Sequence, residues 1–349
     1  MSRIHIIATG GTIAMAHDEE AGGAVLSLSG GDFLQRLLSQ AGPGLPEITS
    51  EEYGPLPSAH FTVEHLWGLR ERVAAVLRNL RNPFSSRKRV SDRVSEVDGV
   101  VVTHGTDSLE ETAYLLDLTV PGDKPMVVTG AMRVASQPGY EGIANLLAAV
   151  RVAASTEARG LGALVVLNDE IHAARDVTKM HSQSLDTFQS PFWGPLGRVE
   201  ADRITITRKV ERQTIPCERL EPRVYLLKLA VGMDAELLRH AVALGARGVV
   251  IETFGGGRVP PWWLEAIEEA TAQGVAVAVT TRCPTGRLYD PYRYVGAYHD
   301  LVGVGCLLAH RLNGQKARLR LMATLGAARD MKEIKSIWQA MSHQPHPQG

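Results

Sequence analysis

Three short segments place hydroxyl, carboxylate and ammonium groups where proton transfer and the binding of an anion or a developing oxyanion could use them. The first, Ala8-Thr9-Gly10-Gly11-Thr12-Ile13-Ala14, is an apolar run that ends in two glycines and a threonine. Doubly wound sheets bind ligands beyond the carboxyl ends of their strands, so Thr12 is presented where chemistry usually happens, and the glycines allow close backbone approach. A dinucleotide fingerprint needs G-x-G-x-x-G opening directly into a helix, which this turn does not supply, so nicotinamide binding is disfavoured. Taken alone, the turn also reads as purely structural. The second segment runs Val101-Val102-Thr103-His104-Gly105-Thr106-Asp107-Ser108-Leu109-Glu110-Glu111-Thr112. Ser108 and Glu111 match the S-x-x-E capping box and predict a helix starting straight after Asp107. Thr106 and Asp107 then sit at a helix N-terminus, whose unpaired N–H groups and dipole favour an anion or a developing oxyanion. Any well-capped helix could show the same residues.

The third segment, Asn168 to Lys179, follows another apolar run and ends in Arg175-Asp176-Val177-Thr178-Lys179. A lysine buried near a strand end can assist proton transfer to a hydroxyl, although lone lysines are usually surface residues. Arg175 and Asp176 read best as a local structural ion pair. The three segments matter together, because three candidate parallel strands could deliver Thr12, Thr106, Asp107 and Lys179 to one crevice.

The elements that must position these groups are legible as alternating strands and helices. Strand-length apolar runs occur at Ile4–Ala8, Gly99–Val102, Pro125–Val128 and Ala163–Leu167, and their continuous hydrophobicity suits strands covered on both faces. Helix-period segments lie between them at Phe33–Gln40, Val63–Leu80, Ser108–Leu118 and Glu141–Ala154. This alternation predicts an α/β fold with a larger N-terminal, doubly wound, mostly parallel sheet. Arg198–Ile206 reads as an antiparallel hairpin turning at Ala201-Asp202-Arg203. The polar stretch 211–222, with Pro216 and Pro222, reads as a linker. Beyond it a smaller C-terminal α/β domain is expected, with strands at Val224–Leu229, Gly248–Glu252 and Val275–Thr280 and helices at Asp234–Leu244, Pro261–Gln273 and after Gln315. The expected division is therefore a catalytic domain over 1–210, the linker, and a second domain over 223–349.

A chain of 349 residues is long enough for two such domains. Lysine plus arginine (37) and aspartate plus glutamate (38) nearly cancel, which argues against nucleic acid or a lipid surface as partner and favours a small, mildly polar ligand. The basic run Arg87-Lys88-Arg89 reads as a solvated surface loop. No apolar run approaches the ~20 residues of a membrane span. Cys217, Cys283 and Cys306 are odd in number and widely spaced, so they read as buried, reduced thiols. Ile4–Ala8 is too short for a signal-peptide core, and a cytoplasmic location is the expectation. Neither a metal-ligand spacing nor a phosphate-cradling loop appears, so no metal and no cofactor are expected.

The motifs Ala8–Ala14 and Thr103–Leu118, with Gly130-Ala131-Met132-Arg133, Arg175-Asp176-Val177-Thr178-Lys179, Gly194-Pro195-Leu196-Gly197, Arg282-Cys283-Pro284-Thr285-Gly286 and Gln315-Lys316-Ala317-Arg318, resemble in order the signatures of the bacterial-type L-asparaginase family. The resemblance covers essentially the whole chain. It implies that Thr12 attacks the side-chain amide of asparagine to give an acyl-enzyme that water then hydrolyses, with Thr106 and Lys179 assisting the proton transfers. It further implies that Asp107 binds the substrate ammonium and Ser58 its α-carboxylate. Gly11, Gly105 and Ala131 complete the implied substrate-binding set, and a homo-oligomer, dimer or tetramer, completes each site with a partner's second domain.

Two departures qualify the resemblance. Secreted members carry a tyrosine in a mobile loop after the first motif, whereas residues 15–31 hold none; the acidic, glycine-rich His17-Asp18-Glu19-Glu20-Ala21-Gly22-Gly23 still suits a moving cover. Where those relatives place an asparagine and a glutamate from a neighbouring subunit, this chain has Phe254-Gly255-Gly256-Gly257-Arg258 and Tyr289-Asp290-Pro291-Tyr292, which points to a minor glutaminase side activity. Tyr289, Asp290 and Tyr292 are candidates for a substitute contact, although a packed interface tyrosine is the plainer reading. The alternatives are an asparaginase-like subunit of a tRNA-dependent amidotransferase, disfavoured by the position of Thr12 near the start, and a non-catalytic sensor of asparagine or aspartate.

Overall fold

A computed structural model describes residues 2–40, 44–78 and 96–341. The basic run Arg87-Lys88-Arg89 lies outside the described residues. The chain divides into two compact units, 1–212 and 213–349.

In the first unit the elements follow in the order β1 (Arg3–Ala8), β2 (Met15–Asp18), β3 (Gly23–Leu26), α1 (Gly30–Gln40), β4 (Glu47–Glu52), α2 (Val63–Leu77), β5 (Gly99–Thr103), α3 (Leu109–Thr119), β6 (Met126–Thr129) and α4 (Gly142–Ala154). The chain continues through β7 (Ala163–Leu167), β8 (Glu170–Ala173), β9 (Thr178–Lys179), β10 (Phe188–Gln189), β11 (Gly197–Val199) and β12 (Ile204–Ile206). Eight of these strands form one sheet in the order β12-β11-β8-β7-β6-β5-β1-β4. The stretch from β4 to β7 is parallel, while β8, β11 and β12 add an antiparallel edge.

The continuous hydrophobicity of the central strands has the expected cause. Successive residues point to opposite faces, and both faces are covered. Val101, Val127 and Leu164 pack in a core with Phe33 and Leu37 of α1 and Leu146 of α4. Their neighbours Val100, Val102, Val128 and Val165 pack with Leu69 and Val73 of α2 and Leu116 of α3 on the other side. The connectivity then fixes where a ligand can sit. From β1 the chain crosses to β4 on one side and returns to β5 on the other, so the switch of direction, where open α/β sheets bind ligands, falls between β1 and β5. Register levels the strand ends there, with Ala8 opposite Thr103 and Thr103 opposite Thr129.

The second unit is a four-stranded parallel sheet, β13 (Val224–Lys228), β14 (Gly248–Thr253), β15 (Ala276–Thr281) and β16 (Leu307–Leu308), in sequence order. The helices α5 (Glu236–Ala243) and α6 (Pro261–Ala272) pack on one face through Leu238, Trp263 and Ile267 against Val249, Ile251, Val277 and Val279. Three further helices complete it, α7 (Tyr298–Gly303), α8 (Gly314–Ala327) and α9 (Met331–Ala340). Among the described residues no helix is long and apolar enough to cross a membrane. The two-domain α/β architecture, larger N-terminal and smaller C-terminal, is the one the sequence led us to expect.

Candidate active site

The turn after β1 and the turn after β5 touch through glycine. A Cβ placed on Gly11 would fall 2.3 Å from Gly105 Cα, so two backbones occupy space that any side chain would need. Gly11 and Gly10 also take positive φ, 82° and 91°, which a side chain would strain. On its other side Gly105 abuts Ser58, whose Oγ lies 2.6 Å from where a Gly105 Cβ would stand. Gly130, after β6, is pressed against the His104 carbonyl in the same manner, and its site for a Cβ lies 3.4 Å from the Thr106 methyl group. Four segments therefore converge because glycines let them, and Thr12, Ser58, Thr106 and Ala131 each sit on or next to one of these contacts.

Lys179 closes the cluster. It arrives on β9, pairs with Phe188 across the short β9–β10 ribbon, and donates Nζ–H to Thr106 Oγ1 at 2.9 Å and to Asp107 Oδ1 at 2.8 Å. Thr106 is 6% exposed and the Lys179 side chain 16%, whereas the Asp107 side chain is 69% exposed. The arrangement offers a buried hydroxyl tied to an ammonium and, beside it, an accessible carboxylate able to meet a ligand cation. Thr12 begins a single 3-10 turn, Thr12–Ala14, and among the described residues its hydroxyl makes no hydrogen bond, leaving the oxygen available as a nucleophile.

One local expectation is corrected. Ser108 does cap α3, but its hydroxyl makes no capping bond; it donates instead to the Ser58 carbonyl at 2.8 Å, while Glu111 N–H bonds the Ser108 carbonyl. The demand of the neighbouring turn outweighs the local cap. Asp176 is held by a residue far along the chain, Arg208, whose Nη2 lies 3.1 Å from Oδ2 and also donates to the Gly194 carbonyl. Arg175 adds its positive charge to the surroundings of the buried Asp117 carboxyl.

Two residues that the sequence did not single out shape the site. His104 is fully buried; its Nδ1 lies 2.9 Å from the Gly105 carbonyl and its Nε2 2.9 Å from Thr112 Oγ1. A carbonyl only accepts, so the ring is the Nδ1–H tautomer and Nε2 accepts from Thr112. Burial pushes its pKa down to about 4, which keeps it neutral as this bonding requires. The one available signal was a histidine separated only by Thr103 from the apolar run Gly99–Val102. Tyr140 has no local signal at all, because its partner is the Ile13 carbonyl, 127 positions away.

Family models described as "Asparaginase, N-terminal" and "Glutaminase/Asparaginase C-terminal domain" match residues 3–84 and 84–212, and residues 223–338, respectively. The chain belongs to the asparaginase family. It is 34% identical to an L-asparaginase of Bacillus licheniformis, over 94% of this chain and 97% of that one. It is 31% identical to a glutaminase-asparaginase of Pseudomonas fluorescens, over 97% and 90%. With a probable periplasmic L-asparaginase of Haemophilus influenzae it shares 36% identity, over 72% and 73%.

The second unit narrows the candidates for a substitute contact. Asp290 is fully buried, and its carboxylate accepts from Arg258 Nε and the Tyr292 amide, both at 2.6 Å. That bonding withdraws Asp290 from contact with any ligand. Tyr289, Tyr292 and Tyr294 remain exposed, with Arg258 over the Tyr292 ring and Arg287 over that of Tyr289.

Proposed function

We propose that the protein is an L-asparaginase that hydrolyses the side-chain amide of L-asparagine to aspartate and ammonia through a Thr12 acyl-enzyme. The observation that carries the reading is the hydrogen-bonded group Lys179–Thr106–Asp107, set on the turn whose Gly105 abuts Gly11 beside Thr12. The Thr12 oxygen adds to the amide carbon and its proton passes through Thr106 and Lys179 to the amide nitrogen. The C–N bond breaks and ammonia leaves. Water then adds to the ester, its proton returns to the Thr12 oxygen, and aspartate is released. Backbone N–H groups of the Thr12 and Thr106 turns, with Gly11, Gly105 and Ala131 lining the approach, stabilise the oxyanion, where one lost donor costs on the order of 3 kcal/mol. The exposed Asp107 carboxylate takes the substrate ammonium and Ser58 its α-carboxylate.

The exposed Tyr289, Tyr292 and Tyr294, backed by arginines, form the kind of aromatic surface enriched at protein interfaces. It supports a homo-oligomer, dimer or tetramer, in which a partner's second domain completes the site. The internal bonding of Asp290 leaves no acidic group at that position to favour a longer substrate, in keeping with a minor glutaminase activity. Of the three cysteines expected to be buried, Cys217 and Cys306 are, but Cys283 is a free, exposed thiol, which supports a reducing, cytoplasmic location. The bonded glycine and lysine machinery supports the catalytic domain over 1–210, with 223–349 as the second domain.

Ammonia release from asparagine and glutamine, measured side by side, tests the function. Asparagine is expected to be the better substrate, and Thr12→Ala is expected to lose at least a thousandfold in kcat with the fold intact. Unchanged hydrolysis in Thr12→Ala would remove the nucleophile. Asparagine binding without ammonia release from the wild type would leave a sensor.

A further inference from the structure

The 3-10 turn that carries Thr12 is closed by hydrogen bonds on every carbonyl from Gly11 to Met15. Gly11 accepts from the Ala14 amide, Thr12 from the Met15 amide, Ala14 from the Ser27 and Leu28 amides, and Met15 from the Ala135 amide. The exception in kind is Ile13, whose carbonyl is met by a side chain, the Tyr140 hydroxyl at 2.7 Å. Residues 15–31 contain no tyrosine, so the phenol that touches this turn comes from outside its own hairpin, from the residue two before α4.

We propose that Tyr140 is a positioning residue for Thr12, acting through the Ile13 carbonyl; the proposal rests on the asparaginase reading above. The peptide plane that holds the Ile13 carbonyl also holds the Ala14 N–H, and that N–H closes the turn onto Gly11 at 2.9 Å. Without the phenol the Ile13 carbonyl has to rotate toward water or stay unpaired beside a fully buried side chain, and either outcome loosens the Ala14–Gly11 bond around Thr12. Partial burial raises the Tyr140 pKa, so the phenol stays protonated and donating throughout the working range.

Tyr140 is also well held. The strap that precedes it is folded on itself by Val134 N–H to Gln137 Oε1 and by Arg133 Nη1 to the Gly139 carbonyl. It grips the same hairpin a second time through Ser136 Oγ, which accepts from the His17 amide. At its other end Glu141 accepts from the Met132 amide, and Asn145 donates to the Gly130 carbonyl and accepts from the Asn168 amide. The start of α4 therefore ties together the turns that follow β1, β6 and β7. A change of a few tenths of an ångström at the Ala131–Met132 turn is passed to Thr12 by bonded neighbours, not by distance alone.

Tyr140→Phe keeps the ring and removes only the donor. In the wild-type background we expect kcat for asparagine to fall about five- to tenfold, the worth of one hydrogen bond, with KM within twofold and the unfolding midpoint little changed. Because the loss falls on attack by Thr12, the steady-state fraction of trapped acyl-enzyme should fall with kcat, which a purely structural role would not produce. Tyr140→Phe turning over at the wild-type rate overturns the proposal, as does a lowered kcat with the acyl-enzyme fraction unchanged. Tyr140→Trp, should Tyr140→Phe fold poorly, supplies a donor on a larger ring and is expected to fall in kcat as well. If the wild type itself releases no ammonia from asparagine, the functional reading has failed and not this assignment.

Discussion

The two turns that meet at the site use glycine for opposite ends. After β5, residues 104–106 are tightly packed: Gly105 is pressed between Gly11 and Ser58, His104 is bonded at both ring nitrogens, and Lys179 fixes Thr106 and the exposed Asp107 beside it. After β1 the chain turns at Thr12 and runs out into the β2–β3 hairpin, where Gly22 and Gly23 have nothing within 4 Å of a Cβ and Glu19, Glu20 and Ala21 are exposed. At its base that hairpin is held by backbone bonds at Ala14 and Met15. One side of the site is set by exclusion of side chains, and the other is left open, as a cover needs to be. Thr12, the proposed nucleophile, stands at the boundary.

The contrast breaks most sharply by substituting glycines on the two sides. Gly11→Ala puts a methyl group 2.3 Å from backbone that has no room to yield, and at positive φ, so we expect a loss of several hundredfold or more in activity together with a lower unfolding midpoint. Gly22→Ala also sits at positive φ, 65°, but meets open space; it should cost about 1 kcal/mol of strain and leave kcat within a factor of two or three. Thermal unfolding and asparagine turnover on both variants decide it, and equal effects would erase the distinction.

A smaller effect tests the packed side by pH. His104 titrates near 6.5 in the unfolded chain and at about 4 in the folded one, because burial disfavours its charge. Between those values the unfolded state binds the extra proton, so stability rises with pH across the window and is lost as pH falls through it, by up to ~3 kcal/mol in all. Denaturant unfolding at several pH values should show this loss below pH 6.5 in the wild type and a shallower slope in His104→Gln. Parallel slopes would mean that His104 is not held neutral by burial.

How much of this was legible follows from where each determinant lies. The central strands could be read because both of their faces are covered, which leaves an unbroken apolar run such as Gly99–Val102. Strand β4 escaped notice because, at the edge of the sheet, Glu47-Ile48-Thr49-Ser50-Glu51-Glu52 meets water with much of its length. The β2–β3 ribbon lay in a stretch whose acidic, glycine-rich composition suggested only a loop. Within the site, Thr12, Thr106, Asp107 and Lys179 were marked by residue type at strand ends, and the structure brings the last three into direct contact. The supports were not marked, since Tyr140 reaches 127 positions back and the sequence around it has no turn or period that names its partner.

Ser108 gives the finest test of that lesson, because a local rule and a long-range contact predict different consequences for one substitution. If the S-x-x-E pattern governed, Ser108→Ala would cost helix stability at α3, about 1 kcal/mol, with substrate handling untouched. In the structure the hydroxyl donates to the Ser58 carbonyl, 50 positions away, and the 3-10 turn Ser58–His60 is what aims the proposed carboxylate ligand. Losing that bond leaves the Ser58 carbonyl with the Phe61 amide alone, at 3.3 Å, and loosens the hold on Ser58, at a cost of about 1 kcal/mol. The expected outcome is a roughly fivefold rise in KM for asparagine with kcat nearly unchanged, beside a modest fall in the midpoint of the size that about 1 kcal/mol gives. A fallen midpoint with an unchanged KM would return Ser108 to the role its motif suggests.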